Sequence, residues 1–185
     1  MKQNIFIAIK LTLVSMVVFC GLYSLLVLGI AQAAPNKGEG QTVSVNGKIV
    51  GYALEGQSFT NDKYFNGRPS AAGYNAAGSS GSNKGPSNPD YLKTVSDRID
   101  SFLVHNPTVQ KKDIPSDLVT ASGSGLDPDI SLQAAMVQAD RISQTRGISK
   151  SNIITLIQNN TERSALNGIG KINVLKINIE LDKLK

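Results

Sequence analysis

Side chains able to do chemistry are sparse in this sequence of 185 residues. It holds 1 histidine, His105, and 1 cysteine, Cys20, so neither a Cys/His zinc cluster nor an internal disulfide can form. His105 stands before Asn106-Pro107 with no second His or Cys near it in sequence. Its expected role is structural, complementing the carbonyls at a helix C-terminus. The serine-rich stretches contain no Gly-x-Ser-x-Gly, and no Ser is followed three residues later by Lys, so a serine hydrolase is excluded. Gly78 to Gly85 looks superficially like a phosphate loop. Asn83 and Gly85 flank Lys84 where that loop needs Gly before and Ser or Thr after, and no strand precedes it.

Asp127-Pro128-Asp129 could present two carboxylates to a cation, but Ile130-Ser131 lacks the third ligand and glycine of a calcium loop. Helix capping by Asp129 or Ser131 is the expected use. Asn159-Asn160-Thr161 fits a glycosylation acceptor, a pattern short enough to arise by chance. A net charge of +5 without a basic, aromatic stripe excludes a nucleic-acid partner. No catalytic constellation remains, and neither a catalytic residue nor a metal site is expected. What remains is an accessory or binding role, carried by polar loops.

Those loops need a scaffold, and its first element is apolar. From Leu11 to Asn36 no residue is charged, and a helix needs about 20 apolar residues to cross a bilayer. Ala31-Gln32-Ala33 has the form of a signal cleavage site, but the apolar stretch exceeds the roughly 7–15 residues of a signal peptide. A lipoprotein reading of Cys20 is disfavoured by bulky Phe19 before it. The expected organisation is a cytosolic N-terminus (1–10), a transmembrane helix (11–32) and an extracytoplasmic domain (37–185). Lys2 and Lys10 before the span place the N-terminus in the cytosol. Ser15, Cys20, Gly21 and Ser24 are candidate small-residue contacts with another membrane helix or with lipid.

Beyond the span, Asn46-Gly47 between two β-rich runs predicts a hairpin. The segment 61–89, rich in Gly, Ser, Asn and Pro, has the composition of a linker or polar loop. Asn88-Pro89 opens a helix with Leu92, Val95, Ile99 and Phe102 on one face, ending before Asn106. A second polar loop, 118–130, precedes a helix capped by Ser131 and ended by Gly147. Ser149 caps another short helix. Alternation of Leu175, Ile177, Ile179 and Leu181 predicts a half-buried terminal strand. The expected fold is a single N-terminal transmembrane helix followed by one α+β domain with a mixed or antiparallel sheet.

Several ordered motifs are distinctive together. They are Gly56-Gln57-Ser58-Phe59-Thr60, then Tyr64-Phe65-Asn66-Gly67-Arg68-Pro69-Ser70 through Asn75, and Gly81-Ser82-Asn83 followed by Gly85-Pro86-Ser87-Asn88-Pro89. Asp117 to Asp127, including Thr120, Ser122 and Ser124, and the terminal Asn173-Val174-Leu175 with Asn178 and Leu181-Asp182 complete the set. With Gly21-Leu22-Tyr23 and Gly29-Ile30-Ala31-Gln32 in the span, the whole chain resembles the C chain of Kdp-type potassium-transporting ATPases. Three positions depart from that family's common pattern: Ser24 replaces a proline, Asn66 a histidine, and Ala33-Ala34-Pro35 an aromatic-proline sequence.

The resemblance implies a non-catalytic accessory subunit of a high-affinity potassium importer in the plasma membrane. Its implied partners are a channel-like potassium-translocating A chain, a P-type ATPase B chain and a small single-span F chain. It implies no cofactor of this chain's own. ATP enters through the ATPase chain, whose affinity for ATP the family's C chain is regarded as raising, and potassium is the transported ion. The candidate partner-contact or loop-shaping residues are Tyr64, Phe65, Gly67, Arg68, Pro69, Ser70, Asn75, Ser82, Asn83, Ser87, Asn88, Pro89, Thr120, Ser122, Ser124 and Asp127. The competing reading is a membrane-anchored extracytoplasmic ligand-binding module or enzyme unrelated to transport, which would need an apolar pocket with convergent polar groups.

Overall fold

The computed structural model describes residues 2–163 and 168–184. The chain divides into two compact units, Met1–Gln41 and Thr42–Lys185.

The first unit is built on one continuous helix. An α-helix, α1 (Lys2–Ser15), passes into a π-helical stretch, Met16–Leu22, and resumes as α2 (Tyr23–Ala33). Asn4–Ala33 gives 30 residues, an 18-residue stretch of which has a mean hydropathy of 2.4, long and apolar enough to cross a membrane. All backbone bonds in such a helix are satisfied within the segment, the arrangement hydrocarbon demands. Cys20 and Gly21 lie in the π-helical stretch, with Ser15 just before it and Ser24 just after. The wider π turn is a common site of close helix contact or function.

In the second unit, strands β1 (Thr42–Val45) and β2 (Lys48–Tyr52) form the expected hairpin. Asn46 (φ 51°) and Gly47 (φ 76°) take the left-handed conformations that a two-residue turn requires. A second antiparallel sheet is ordered β3-β5-β4, from β3 (Asp129–Ser131), β4 (Glu162–Arg163) and β5 (Gly170–Asn173). Ile130 faces Ile172 in its register, and both are buried. Around it pack α3 (Pro89–His105), α4 (Leu132–Met136), α5 (Ala139–Arg146), α6 (Lys150–Asn159) and α7 (Val174–Asp182). Phe65, Ile130, Ile142, Ile153, Ile157, Ile172, Ile177 and Leu181 form the centre of the core.

The caps follow the sequence. Asn88, Ser131 and Ser149 accept from the backbone N–H groups of Tyr91, Ala134 and Asn152, and Gly147 closes α5 in the left-handed region. Two expectations are corrected. The helix expected from Ser131 to Gly147 is broken at Val137-Gln138. Gln138 Nε2 donates to the Ala134 carbonyl, the acceptor its own N–H would use in a regular helix, and that N–H turns to Ala135 instead. The terminal strand is a helix. Asn173 accepts from Lys176 N at 3.0 Å and caps α7, which buries Val174, Leu175, Ile177, Asn178 and Leu181. That spacing of one, three, four and seven is helical, and the apolar alternation was a coincidence of the same residues.

Asn173 also donates Nδ2 to the buried Ala53 carbonyl at 2.8 Å, tying the end of the hairpin to the sheet. Ile177→Ala should lower the unfolding free energy of the second unit by about 2–5 kcal/mol. Chemical denaturation followed by circular dichroism measures this, and a loss below about 0.5 kcal/mol would place Ile177 outside the core.

Candidate partner interface from two interlocked loops

The segment 61–89 is stitched into the domain by polar contacts that its composition gave no hint of. At their centre lies Arg141, only 6% exposed. Its Nε donates to Asn106 Oδ1 at 3.0 Å, and its Nη1 to the Asp62 carbonyl at 2.5 Å. Its Nη2 reaches the Tyr64 carbonyl (3.1 Å), Asn66 Oδ1 (2.8 Å) and Gln138 Oε1 (2.8 Å). Burial pushes the guanidinium below its ordinary pKa, and the Asp62 carboxylate 3.6 Å away pulls it back up. Asp62 in turn holds His105 Nδ1 at 3.0 Å, so His105 joins this loop to the end of α3.

Three further residues complete the seat of the loop. Asn178 brackets Phe65, accepting from its N–H at 2.8 Å and donating to its carbonyl at 3.0 Å, which drives the phenyl ring into the core. Gln138 Oε1 accepts from Asn66 N at 2.8 Å. Asn66 Nδ2 donates to the Phe59 carbonyl while its Oδ1 receives Arg141, so this position needs one donor and one acceptor on a short side chain. Sequence reasoning missed Arg141, Gln138, Asn106 and Asn178. Each lies in or beside a helix as an ordinary polar residue, and only its burial reveals it.

The loops 61–89 and 118–130 meet along a seam. Arg68 Nη1 pairs with Asp127 Oδ2 at 2.9 Å, and the buried Arg68 Nε has no hydrogen-bond partner among the described residues. Ser122 N donates to the Pro69 carbonyl (3.1 Å), Ser70 Oγ to Gly125 O (2.6 Å) and Ser79 Oγ to Ser124 O (2.9 Å). Gly125 must be glycine: its φ is +70°, and a Cβ would stand 2.8 Å from the Ser80 carbonyl. Tyr74 sits at φ 59°, an uncommon conformation for a bulky residue, held by its N–H on Ser70 Oγ and its hydroxyl on the Arg68 carbonyl. Burial raises the Tyr74 phenol above its ordinary value of 10.0.

The remaining candidate residues fall into two groups. Tyr64 donates to Asp182 at 3.1 Å under the Arg146 guanidinium, which lies 4.8 Å above its ring. Asn75 accepts from Ala77 N, Thr120 donates to the Ser116 carbonyl, Asn88 caps α3 with Pro89 in its first turn, and half-buried Gly67 lies near the Tyr74 hydroxyl. Ser82, Asn83, Ser87 and Ser124, by contrast, are exposed on the loops' outer surface. Asp129 pairs with Lys171 at 2.8 Å, so the two carboxylates of 127–129 have separate cationic partners. Among the described residues no group of three or more His, Cys, Asp or Glu could hold a metal.

A membrane-length helix carrying a small domain whose polar loops are fixed by a buried cation describes an anchored accessory protein. Comparison with known proteins gives its family. Residues 5–183 match the family described as the K+-transporting ATPase c chain. A protein of Flavobacterium psychrophilum named potassium-transporting ATPase KdpC subunit is 51% identical over 183 residues, covering 99% of this chain and 100% of that relative. Proteins of the same name are 50% identical in Bacteroides fragilis (96% of each chain covered) and 43% identical in Clostridium kluyveri (93% and 90%). The chain belongs to this c-chain family, as an accessory and non-catalytic subunit of the potassium-transporting ATPase. The competing reading of an anchored module unrelated to transport finds no support in these matches.

Two outcomes follow from the seam. Arg141→Met should destabilise the second unit by about 3–5 kcal/mol, because it strands buried acceptors on two elements, and Arg141→Lys should recover little, lacking the fork. Equilibrium urea unfolding measures both, and a near-neutral Arg141→Met would remove the residue from this role. The Tyr74 pKa is raised in the fold, so its contribution is complete below 10.0 and fades as pH climbs through the higher folded value. Stability against pH from 9 to about 12 should therefore fall less steeply in Tyr74→Phe than in the parent.

Proposed function

We propose that this chain secures the potassium-transporting complex from the extracytoplasmic side, with residues 1–10 in the cytosol, 11–32 in the membrane and 37–185 outside. Membership of the c-chain family along residues 5–183 carries the reading. Lys2 and Lys10 before the apolar helix support the orientation. The proposed partners are the channel-like potassium-translocating chain, the P-type ATPase chain and a small single-span chain. The small residues about the π-helical stretch, Ser15, Cys20, Gly21 and Ser24, suit close approach of a partner helix.

In this arrangement the interlocked loops form a rigid rim over the channel-like chain. Arg68, Asp127, Ser70 and Ser122 hold its shape, and the exposed Ser82, Asn83, Ser87 and Ser124 meet the partner. A rigid loop loses little entropy on docking, which favours affinity. An effect on the ATPase chain's affinity for ATP then passes through the assembly, because ATP is cytosolic and only the first residues of this chain share that compartment.

Cys20 is the only native cysteine and lies within the apolar helix, so Ser87→Cys in a Cys20→Ala background installs one reporter on the rim. A membrane-impermeant maleimide should label it in intact cells lacking an outer barrier; labelling only after permeabilisation would reverse the topology. Ser82→Arg with Ser87→Arg should leave the thermal melt of the chain unchanged but reduce recovery of the intact complex roughly tenfold. Full recovery would remove the rim from the interface.

A further inference from the structure

The hairpin β1–β2 forms a two-stranded sheet of its own, a form that gains little stability unless something packs on it. Its second strand and the residues after it leave apolar side chains in solvent: Ile49 is 65% exposed, Leu54 76%, Tyr52 41% and Val50 39%. Single surface aliphatics need no explanation, but such a cluster within one short segment marks an interaction site. The patch continues into a cleft of about 180 Å³ lined by Val45, Val50, Phe59, Tyr64, Leu175 and Ile179. Asp182, at the edge of that cleft, is neutralised by Arg146 at 2.7 Å.

Two observations indicate what covers the patch. One is charge: from Gln41 to Leu54 there is no acidic residue, and Lys48 at the hairpin turn enters no ion pair among the described residues. The other is reach. Only residues 34–41 join the apolar helix to β1, at most roughly 30 Å of extended chain. Turns closed by Lys37 N on Ala34 O (3.0 Å) and Glu39 N on Asn36 O (3.0 Å) shorten it further. Aliphatics beside a tyrosine and a lysine are the composition of a segment lying at a membrane–water boundary.

We propose that the Ile49–Leu54 segment is a second membrane contact, seated at the headgroup–acyl boundary of a bilayer containing anionic phospholipid. Ile49 and Leu54 enter the boundary, Tyr52 spans it, Val50 turns to the cleft, and Lys48 stays with the headgroups. A domain held at the tether alone can swivel; one held at tether and hairpin keeps its loops in one orientation towards the complex. The inference needs only an anchored chain and does not depend on which side the domain faces.

The sequence contains 0 tryptophans, so Ile49→Trp gives a single reporter in the full-length chain, with Val104→Trp on the exposed side of α3 as reference. Both are reconstituted in phosphatidylcholine–phosphatidylglycerol vesicles with and without acyl-brominated lipid. I49W emission should be blue-shifted from that of V104W and quenched at least roughly twofold more strongly. Lys48→Glu should weaken this on the anionic vesicles and leave it unchanged on phosphatidylcholine alone. Equal quenching of the two reporters overturns the proposal. So does a blue shift that arises only on assembly with the partner chains, or only at raised chain concentration in detergent, since those outcomes assign the patch to a partner protein or to a second copy. Leu54→Trp repeats the measurement should I49W fail a thermal-melt check of folding.

Discussion

A buried guanidinium is tolerable only if nearly all of its donors are met, and that demand organises the second unit. Arg141 reaches residues 62, 64, 66, 106 and 138 from one planar group. Desolvating such a charge costs several kcal/mol before any partner is counted, so the partners cannot be optional. Because the carbonyls of Asp62 and Tyr64 are among them, the cation fixes backbone and not merely side chains. It thereby turns a stretch with the composition of a linker into a wall of the domain, with Phe65 fully buried behind it.

From that fixed wall the second loop takes its shape. Arg68 and Ser70 follow within a few residues of Phe65 and reach across to Asp127 and Gly125. Each neutral hydrogen bond along the seam contributes only about 0.5–1.5 kcal/mol net, and the ion pair at partial exposure little more. Their number and mutual geometry, with a glycine where no Cβ fits, are what make the loops a single surface. A surface of this kind is suited to holding another protein in register, which is the task of an accessory subunit.

The two units divide the labour by solvent. The apolar helix satisfies its backbone internally and exposes Leu, Ile, Val and Phe, which in water would be a liability and in hydrocarbon is the requirement. The second unit does the reverse, with a modest aliphatic core beneath extensive polar loops. Its hairpin breaks that rule by exposing aliphatics close in sequence to the tether, which is why a lipid boundary is the fitting environment for it.

Sequence alone determined the features that rest on local physics. The apolar run set the membrane-length helix, Asn46-Gly47 set the hairpin turn, and Asn88, Ser131 and Ser149 set three helix starts through their own side-chain oxygens. The ordered motifs set the family, since their order along the whole chain is specific even where each is short. Tertiary structure decided what depends on burial. The residues after Asn173 carry both an alternation that suits a strand and, through Val174, Leu175, Ile177 and Leu181, the spacing of a helix face, and only the Asn173 cap and the packing of Ile177 and Leu181 resolve α7. Gln138 breaks a helix by giving its Nε2 to the Ala134 carbonyl while its Oε1 accepts from Asn66, a partner 72 residues away. Arg141 reads in sequence as one more surface cation, because nothing local records that it will lie inside the fold among carbonyls brought from a distant loop.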